Sequence, residues 1–159
     1  MIGLLQRVTE AAIGVDGAEI ARIEPGLLVL VAIERGDDES TAERLLDRLL
    51  NYRVFADAEG RMNLSVTDTA GSLLLVPQFT LAADTAKGLR PGFSRAAAPA
   101  DGERLFGHLV RRARARFPAT QAGRFGAHMR VFLVNDGPVT FWLRVPGQGE
   151  GGAGIGVSS

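Results

Sequence analysis

Residues 25–33 read Pro25-Gly26-Leu27-Leu28-Val29-Leu30-Val31-Ala32-Ile33, and this stretch decides the fold class. Its seven consecutive apolar residues are too few for a typical helix and leave no polar face. A strand with two apolar faces is typical of the middle of a sheet that is covered on both sides. Residues 72–76 have the same character and predict a second buried strand, which runs on into residues 77–81. The sequence therefore predicts a sheet with packing on both of its faces.

The remaining strands are predicted around turn residues. Residues 11–24 predict two short strands around Asp16-Gly17, a dipeptide that tolerates the positive φ angles of a tight hairpin turn. Near the end of the chain, residues 130–134 and 139–145 predict two further strands. The four residues that join them, Asn135-Asp136-Gly137-Pro138, are all common in turns.

Two segments show the spacing of apolar residues that is typical of an amphipathic helix, residues 39–51 and about 101–116. In the first of them, Ser40 followed by Glu43 predicts a capping box at the helix start. Several strands and two helices without regular βαβ alternation favour a mixed α/β (α+β-like) fold. We expect a single domain in which the two main helices pack on the sheet.

Composition narrows the classes of function. The chain has 159 residues, which fits one domain, and 18 basic against 18 acidic side chains. Because it has no cysteine, disulfides and cysteine-bound zinc are excluded. A net charge of zero argues against a general binder of DNA or of another polyanion. It is compatible with recognition of one small part of an RNA.

The apolar runs and the two ends of the chain lead to further expectations. No apolar run approaches the roughly 20 residues of a membrane helix, so we expect no membrane span. The first residues lack the pattern of a secretion signal, which predicts a cytoplasmic protein. Residues 1–145 are predicted to form the domain. Residues 146–159 are rich in glycine and predict a flexible tail.

Few side chains in this sequence are suited to catalysis. The two histidines are His108, on the polar side of the second helix, and His128, which has no partner at metal-ligand spacing. We therefore expect no bound metal. The sequence also lacks a phosphate-binding or dinucleotide-binding glycine motif in a strand-to-helix context, which predicts no cofactor.

Two other segments are candidates for a functional site. Gln78-Phe79-Thr80 follows a buried strand and is either an ordinary strand end or a corner whose backbone N–H groups stabilise an oxyanion. Residues 135–140 are either an ordinary turn or a specialised loop, in which a cis bond between Gly137 and Pro138 would direct carbonyl groups unusually. The sequence alone leaves both alternatives open.

Several motifs occur in a fixed order along roughly residues 1–143. They are Gln6-Arg7-Val8, Pro25-Gly26-Leu27-Leu28-Val29-Leu30, Glu34-Arg35-Gly36-Asp37, Met62-Asn63-Leu64-Ser65, Gln78-Phe79-Thr80-Leu81, Gly123-Arg124-Phe125-Gly126-Ala127 and Asn135-Asp136-Gly137-Pro138-Val139-Thr140. One short motif would be weak, but the ordered series is specific. In this order the motifs resemble the D-aminoacyl-tRNA deacylase family. The chain departs from that family at Pro77, where serine is usual.

The resemblance implies a barrel-like sheet and a homodimer with active sites at the subunit interface. It implies an ester hydrolase that releases D-amino acids, and also glycine, from the 3′-terminal ribose of tRNA. A cis Gly-Pro motif would reject L-amino acids by excluding their side chains. The residues that the resemblance assigns are Gln78, Phe79 and Thr80 for catalysis, Gly137 and Pro138 for specificity, Arg7, Asn135 and Thr140 for support, and Lys87 and Arg90 as candidates for tRNA contact.

The mechanism and the function each keep an alternative. The sequence offers no general base, so the resemblance favours assistance by the 2′-hydroxyl of the tRNA, with the backbone N–H groups of Phe79 and Thr80 as an oxyanion hole. Thr80 as the nucleophile is the alternative mechanism. The alternative functions are a related deacylase with relaxed chirality, which Pro77 suggests, and a non-catalytic module that binds aminoacyl-tRNA.

Overall fold

The computed structural model describes residues 1–148. Its strands are β1 (Ile2–Val15), β2 (Ala18–Ile23), β3 (Gly26–Ala32), β4 (Phe55–Ala56), β5 (Met62–Leu64), β6 (Ser72–Pro77), β7 (Thr120–Ala122) and β8 (Arg130–Arg144). Its helices are α1 (Glu39–Asn51) and α2 (Pro99–Arg116), and a short 3-10 helix covers Phe79–Ala82. The predicted mixed α/β fold with two main helices in a single domain is confirmed.

Strand β3 lies in the middle of a mixed, barrel-like sheet. It pairs antiparallel with β1 and parallel with β6, which in turn pairs parallel with β7. The long strand β1 pairs along its length with β8, while its second half also pairs with β2. The predicted hairpin turn joins β1 to β2, with Asp16 at φ 51° and Gly17 at φ 80°. Parallel and antiparallel pairing therefore occur in one sheet.

The two faces of β3 contribute to two different cores. Leu28 packs inside the barrel with apolar side chains of β1, β2 and β6. Leu27 and Val29 point to the other face and pack against the helices, where Leu45 and Leu105 are fully buried. Burial of one such leucine contributes about 1.5–3 kcal/mol. The prediction that this strand is covered on both sides is confirmed.

Helix α1 begins with a capping box, but at different residues from those predicted. Asp38 is the N-cap, and its carboxylate accepts a hydrogen bond of 2.8 Å from the backbone N–H of Thr41. The side chain of Thr41 accepts in return from the Asp38 N–H. Ser40 and Glu43 lie inside the helix, so the predicted Ser40 box is wrong. The short acidic side chain of Asp38, directly before the helix, takes the capping position. The helix therefore begins at Glu39, whereas Ser40 as the N-cap would place its start after residue 40.

The prediction of two separate strands at residues 130–134 and 139–145 is also wrong. Residues 130–144 form one strand, β8, which pairs with β1 on both sides of residues 136–139. Asn135 faces Val8 and Thr140 faces Gln6, so four residues of β8 stand opposite the single residue Arg7. The turn residues therefore form a bulge in a continuous strand, because β1 is long enough to pair on both sides of it.

The predicted flexible tail, residues 146–159, lies mostly outside the described residues. Within the described part, Arg44 Nη2 donates a hydrogen bond of 2.8 Å to the carbonyl oxygen of Pro146. Residues 149–159 are not described. In residues 1–148, no helix combines the length and the apolar character needed to cross a membrane.

Candidate active site

Gln78, Phe79 and Thr80 lie where β6 ends at the rim of the sheet. The backbone N–H of Gln78 donates to the carbonyl oxygen of Val31 at 2.7 Å, which fixes the residue to the end of β3. Pro77 closes the strand, because it has no N–H to continue the ladder. The chain then turns into the 3-10 helix, and the first N–H groups of a helix have no partner within it. Gln78 Nε2 donates to Thr80 Oγ1.

A cavity of about 470 Å³ opens beside this strand end, and Gln78 and Phe79 form part of its wall. This volume lies in the ordinary range for a small-molecule site, roughly 300–1,000 Å³. The wall is completed from other parts of the chain, by Val31, Ile33, Val76, Pro77, Ala97, Pro99, Gly102, Phe125, Gly126, Ala127, His128, Met129 and Val131. The contributions of Pro99, Gly102 and Met129 were not predicted, since no motif marks them. We call this space the first cavity.

His128 is the histidine that reaches the first cavity. His108 lies elsewhere, between the two helices, where its Nε2 is 3.1 Å from Glu43 Oε1. The prediction placed His108 on a largely solvated face, and the structure instead buries most of its ring in this contact. Within residues 1–148, no group of three or more His, Asp or Glu side chains is placed to hold a metal ion.

The bulge at residues 135–138 is held by the side chain of Asn135 and by strand β1. Asn135 Oδ1 accepts from the backbone N–H of Val139 at 2.7 Å, and its Nδ2 donates to Thr140 Oγ1 at 3.0 Å. The Gly137–Pro138 peptide bond is cis, and both residues are exposed. We call residues 135–140 the Gly-Pro loop.

Arg7 ties the Gly-Pro loop to the body of the domain. Its Nε donates to the carbonyl oxygen of Asp136 at 3.0 Å, and its Nη1 donates to the carbonyl oxygen of Val54 at 2.6 Å. The side chain is only 16% exposed, so these bonds are partly shielded from water. Hydrogen bonds from a charged donor are stronger than neutral ones. Arg7 therefore supports the main chain of the loop, and its Nε also lies 3.4 Å from the half-exposed carboxylate of Asp136.

One chain does not bring the Gly-Pro loop to the first cavity. Arg7 pairs with Leu27 in β3, whereas Gln78 is bonded to Val31, four residues further along the same strand. Four residues of strand span about 13 Å. Strands β1 and β3 also lie between β8 and β6. Neither Gly137 nor Pro138 is part of the cavity wall.

Lys87 and Arg90 lie on an exposed loop that follows the 3-10 helix, and neither is part of the wall of the first cavity. The loop is closed at its base by backbone hydrogen bonds of 2.7 and 3.0 Å between Asp84 and Gly92. Neither cation forms an ion pair with any residue of the described range 1–148. The loop therefore presents uncompensated positive charge to the solvent.

Glu34 anchors the start of the chain beside the site. Its Oε2 lies 3.2 Å from the Met1 ammonium and 2.8 Å from Arg144 Nε. Burial works to raise the pKa of Glu34, but the hydrogen bond from Arg144 and the Met1 ammonium outweigh it and hold the pKa below its ordinary value. Burial raises the pKa of Asp37, which also bonds Met1 at 2.7 Å. These carboxylates are therefore occupied by cations of the same chain.

Comparison with known proteins identifies the family. A family model described as D-Tyr-tRNA(Tyr) deacylase matches residues 4–144. The chain belongs to this family. The matched range includes both the end of β6 and the Gly-Pro loop. As a member of the D-Tyr-tRNA(Tyr) deacylase family, the protein is a hydrolase that acts on a carboxylic ester bond.

Curated relatives of the D-Tyr-tRNA(Tyr) deacylase family match nearly the whole chain. The D-aminoacyl-tRNA deacylase of Nitrosococcus oceani is 62% identical over 146 residues, which cover 92% of this chain and 94% of the relative. That of Azotobacter vinelandii is 63% identical over 143 residues, covering 90% and 99%. The family resemblance predicted from the motifs is confirmed.

Solved structures agree with this fold. A c-Myc DNA Unwinding Element Binding Protein is 36% identical with a TM-score of 0.88, covering 92% of this chain and 99% of that one. A probable eukaryotic D-amino acid tRNA deacylase has a TM-score of 0.70 at 19% identity, covering 89% and 97%. At that identity, the second likeness shows the fold alone.

Proposed function

We propose that this protein hydrolyses the ester between a D-amino acid, or glycine, and the 3′-terminal ribose of tRNA in the cytoplasm, and that it spares L-aminoacyl-tRNA. The observation that carries the proposal is the first cavity, which opens directly beside Gln78 and Phe79 in a member of this deacylase family. Its wall is mainly apolar and holds no cofactor-binding motif, which suits a nucleoside ester better than a charged metabolite.

The hydrolytic water or nucleophile needs activation, and the substrate supplies it in this proposal. Gln78 Nε2 donates to Thr80 Oγ1, and an amide N–H cannot remove a proton from a hydroxyl. Thr80 therefore lacks an adjacent base and is a weak nucleophile at neutral pH. The 2′-hydroxyl of the terminal ribose is next to the ester carbonyl and assists its hydrolysis. The backbone N–H groups of Phe79 and Thr80 face the developing oxyanion.

A second copy of the chain completes the site. Because the Gly-Pro loop of one chain is remote from its own first cavity, we propose that the loop of a partner subunit enters the cavity mouth. Strand β8 carries this loop and exposes an unusual number of large apolar side chains, with Phe132 58% and Trp142 55% exposed. Such a row on one strand is typical of a surface that another protein covers. A homodimer buries it.

The decisive experiment compares release of D-tyrosine, L-tyrosine and glycine from matched aminoacyl-tRNAs at equal enzyme concentration. We expect hydrolysis of the D-tyrosyl and glycyl esters and survival of the L-tyrosyl ester. A D-tyrosyl-tRNA that ends in 2′-deoxyadenosine is the control and should be stable. Cleavage of the L ester would favour a deacylase with relaxed chirality, for which Pro77→Ser is the first variant to test. Survival of all three esters would indicate a binding module without catalysis.

Replacing Thr80 with Ala tests the role of its hydroxyl. If the 2′-hydroxyl assists, we expect the variant to keep at least about a tenth of the wild-type kcat/KM on D-tyrosyl-tRNA. The kcat/KM values of Thr80→Ser and His128→Asn on D-tyrosyl-tRNA are measured for comparison. Loss of activity by about a thousandfold in Thr80→Ala, with rescue by Thr80→Ser and an unchanged melting temperature, would instead make Thr80 the nucleophile.

Replacing Arg7 with Ala removes its hydrogen bond to the Gly-Pro loop and the bond to Val54 that ties this loop to the body of the domain. We expect the ratio of D to L hydrolysis rates to fall by roughly tenfold, since each hydrogen bond to a charged donor contributes about 1.5–3 kcal/mol. Arg22→Ala is the matched control, because Arg22 pairs with the exposed Glu10 and Glu19 and with no residue of the Gly-Pro loop within residues 1–148. Equal D/L ratios in the wild type and Arg7→Ala would contradict the role of Arg7.

A further inference from the structure

A second cavity adjoins the first and shares part of its wall. It has a volume of about 620 Å³, and Phe79, Ala97 and Pro99 line both cavities. Phe79 therefore stands between the two spaces. An RNA chain whose terminal nucleoside fills the first cavity has to leave it past one of its walls, and the second cavity lies directly beyond the wall that Phe79, Ala97 and Pro99 form.

Two aromatic rings are exposed at this boundary. The rings of Phe79 and Phe93 lie 5.1 Å apart at an angle of 51°. They remain 58% and 39% exposed, respectively, although phenylalanine is usually buried. Phe79 follows β6, and Phe93 follows the loop that carries Lys87 and Arg90. An open aromatic face of this kind is a stacking surface for a nucleic acid base.

The charges around the second cavity favour an anion. Three carboxylates are part of the wall, those of Glu34, Asp37 and Asp101. The Met1 ammonium bonds the first two, Arg144 also bonds Glu34, and Arg104 of the same wall lies 3.9 Å from Asp101. Arg35 is exposed on the same wall. It donates a hydrogen bond of 3.4 Å to the carbonyl oxygen of Ala96, and within residues 1–148 it has no ion-pair partner. A phosphate would supply that partner.

We propose that the second cavity binds the nucleotide immediately 5′ of the terminal adenosine, with its base stacked on Phe93 and its phosphate facing Arg35. The inference rests on the proposed function and deepens it, because it names a further part of the tRNA that the protein contacts. Stacking on aromatic rings together with a cationic contact to the backbone is how proteins hold single-stranded RNA ends. Phe93 and Arg35 are positioning residues in this scheme, since they contact RNA remote from the ester.

The test uses two substrates that differ only in the RNA beyond the terminal nucleoside. One is D-tyrosyl-tRNA, and the other is 3′-O-D-tyrosyl-adenosine. We expect Phe93→Ala to lower kcat/KM on the tRNA by roughly tenfold and to change it on the adenosine ester less than about twofold. Phe93→Tyr keeps an aromatic face and should retain the wild-type value. Arg35→Gln should weaken the dependence of the tRNA reaction on salt concentration. Met62→Ala, an exposed residue in β5, is the control.

Each contrary outcome has a separate meaning. Equal losses on both substrates in Phe93→Ala would overturn the inference, because Phe93 would then shape the reacting site or the fold. If Phe93→Ala changes the molar mass of the assembly measured by light scattering, the inference is also overturned, because a second copy of the chain would then be what covers Phe93. If the wild-type protein hydrolyses neither substrate, the proposed function itself fails. Thermal unfolding of each variant identifies loss of the folded state.

Discussion

Replacing Gly137 with Ala is expected to remove most of the discrimination between D- and L-aminoacyl-tRNA. Gly137 has φ +150°, a conformation that residues with a Cβ atom rarely adopt. An added Cβ would also lie 2.6 Å from Val139 Cγ2 and 2.7 Å from Val139 N, too close for either atom. The Gly-Pro loop must therefore move. We expect the ratio of D to L values of kcat/KM to fall by at least about tenfold.

Gly17→Ala is the matched control for this variant. Gly17 has φ +80°, so alanine is also strained there, but a Cβ would meet no atom within 4 Å. It lies in the turn between β1 and β2, remote from the loop. We expect lower stability and an unchanged D/L ratio. An unchanged ratio in Gly137→Ala would contradict the proposed filter.

Mixing two variants shows whether the loop acts on its own subunit or on the partner. Ala127 lines the first cavity, so Ala127→Trp should fill it and abolish activity in that subunit. We mix the Gly137→Ala protein with an excess of the Ala127→Trp protein and allow the subunits to exchange, so that each Gly137→Ala subunit is paired with an Ala127→Trp subunit. If the loop acts across the interface, every open cavity then receives an intact loop, and hydrolysis of L-tyrosyl-tRNA falls to the wild-type level. Persistent L hydrolysis per open cavity would show that the loop acts within its own subunit.

Gly26→Ala is expected to have the largest effect on stability. Gly26 is where β3 begins, opposite Ser72 in the parallel strand β6. An added Cβ would overlap the carbonyl oxygen of Ser72 and lie 2.6 Å from its backbone nitrogen. Backbone cannot give way as a side chain does, so the two central strands must separate. We expect a loss of at least about 4 kcal/mol in the free energy of unfolding, or failure to fold.

Gly3→Ala is the comparison for this stability effect, measured by urea denaturation. There an added Cβ would meet Leu45 Cδ1 at 3.3 Å, and that methyl group is the end of a flexible side chain. We expect a loss of about 1–3 kcal/mol at most. Equal losses in the two variants would mean that the contact between β3 and Ser72 does not limit the packing of the sheet.

Local patterns predicted most of the elements correctly. The apolar run of β3 and the spacing in α1 and α2 depend on residues close in sequence, and the structure confirms all three. The loop at residues 135–138 contains true turn residues, yet it is a bulge. Whether a turn separates two strands or interrupts one depends on the length of the neighbouring strand β1, which no local pattern contains.

The candidate site was predicted only in part for the same reason. The end of β6 was recognisable, because polar residues directly follow an apolar strand. The first cavity is built from several distant segments, among them Pro99 at the start of α2 and Met129 before β8. Their meeting depends on how the helices and the barrel pack, so the sequence alone could not indicate it.

The Gly-Pro loop is held mainly through its main-chain atoms. Arg7 bonds the carbonyl of Asp136, and Asn135 bonds the N–H of Val139. Arg7 also forms an ion pair of 3.4 Å with the Asp136 carboxylate, but that carboxylate is 53% exposed and such a pair contributes little. A surface made of peptide groups is the same whichever side chains flank it. Substitutions at the exposed position 136 should therefore change the shape of the loop little. The positions at which a substitution should disturb that shape are Arg7, Asn135 and Gly137. A deep mutational scan of the gene would show tolerance at 136 beside near-intolerance at those three.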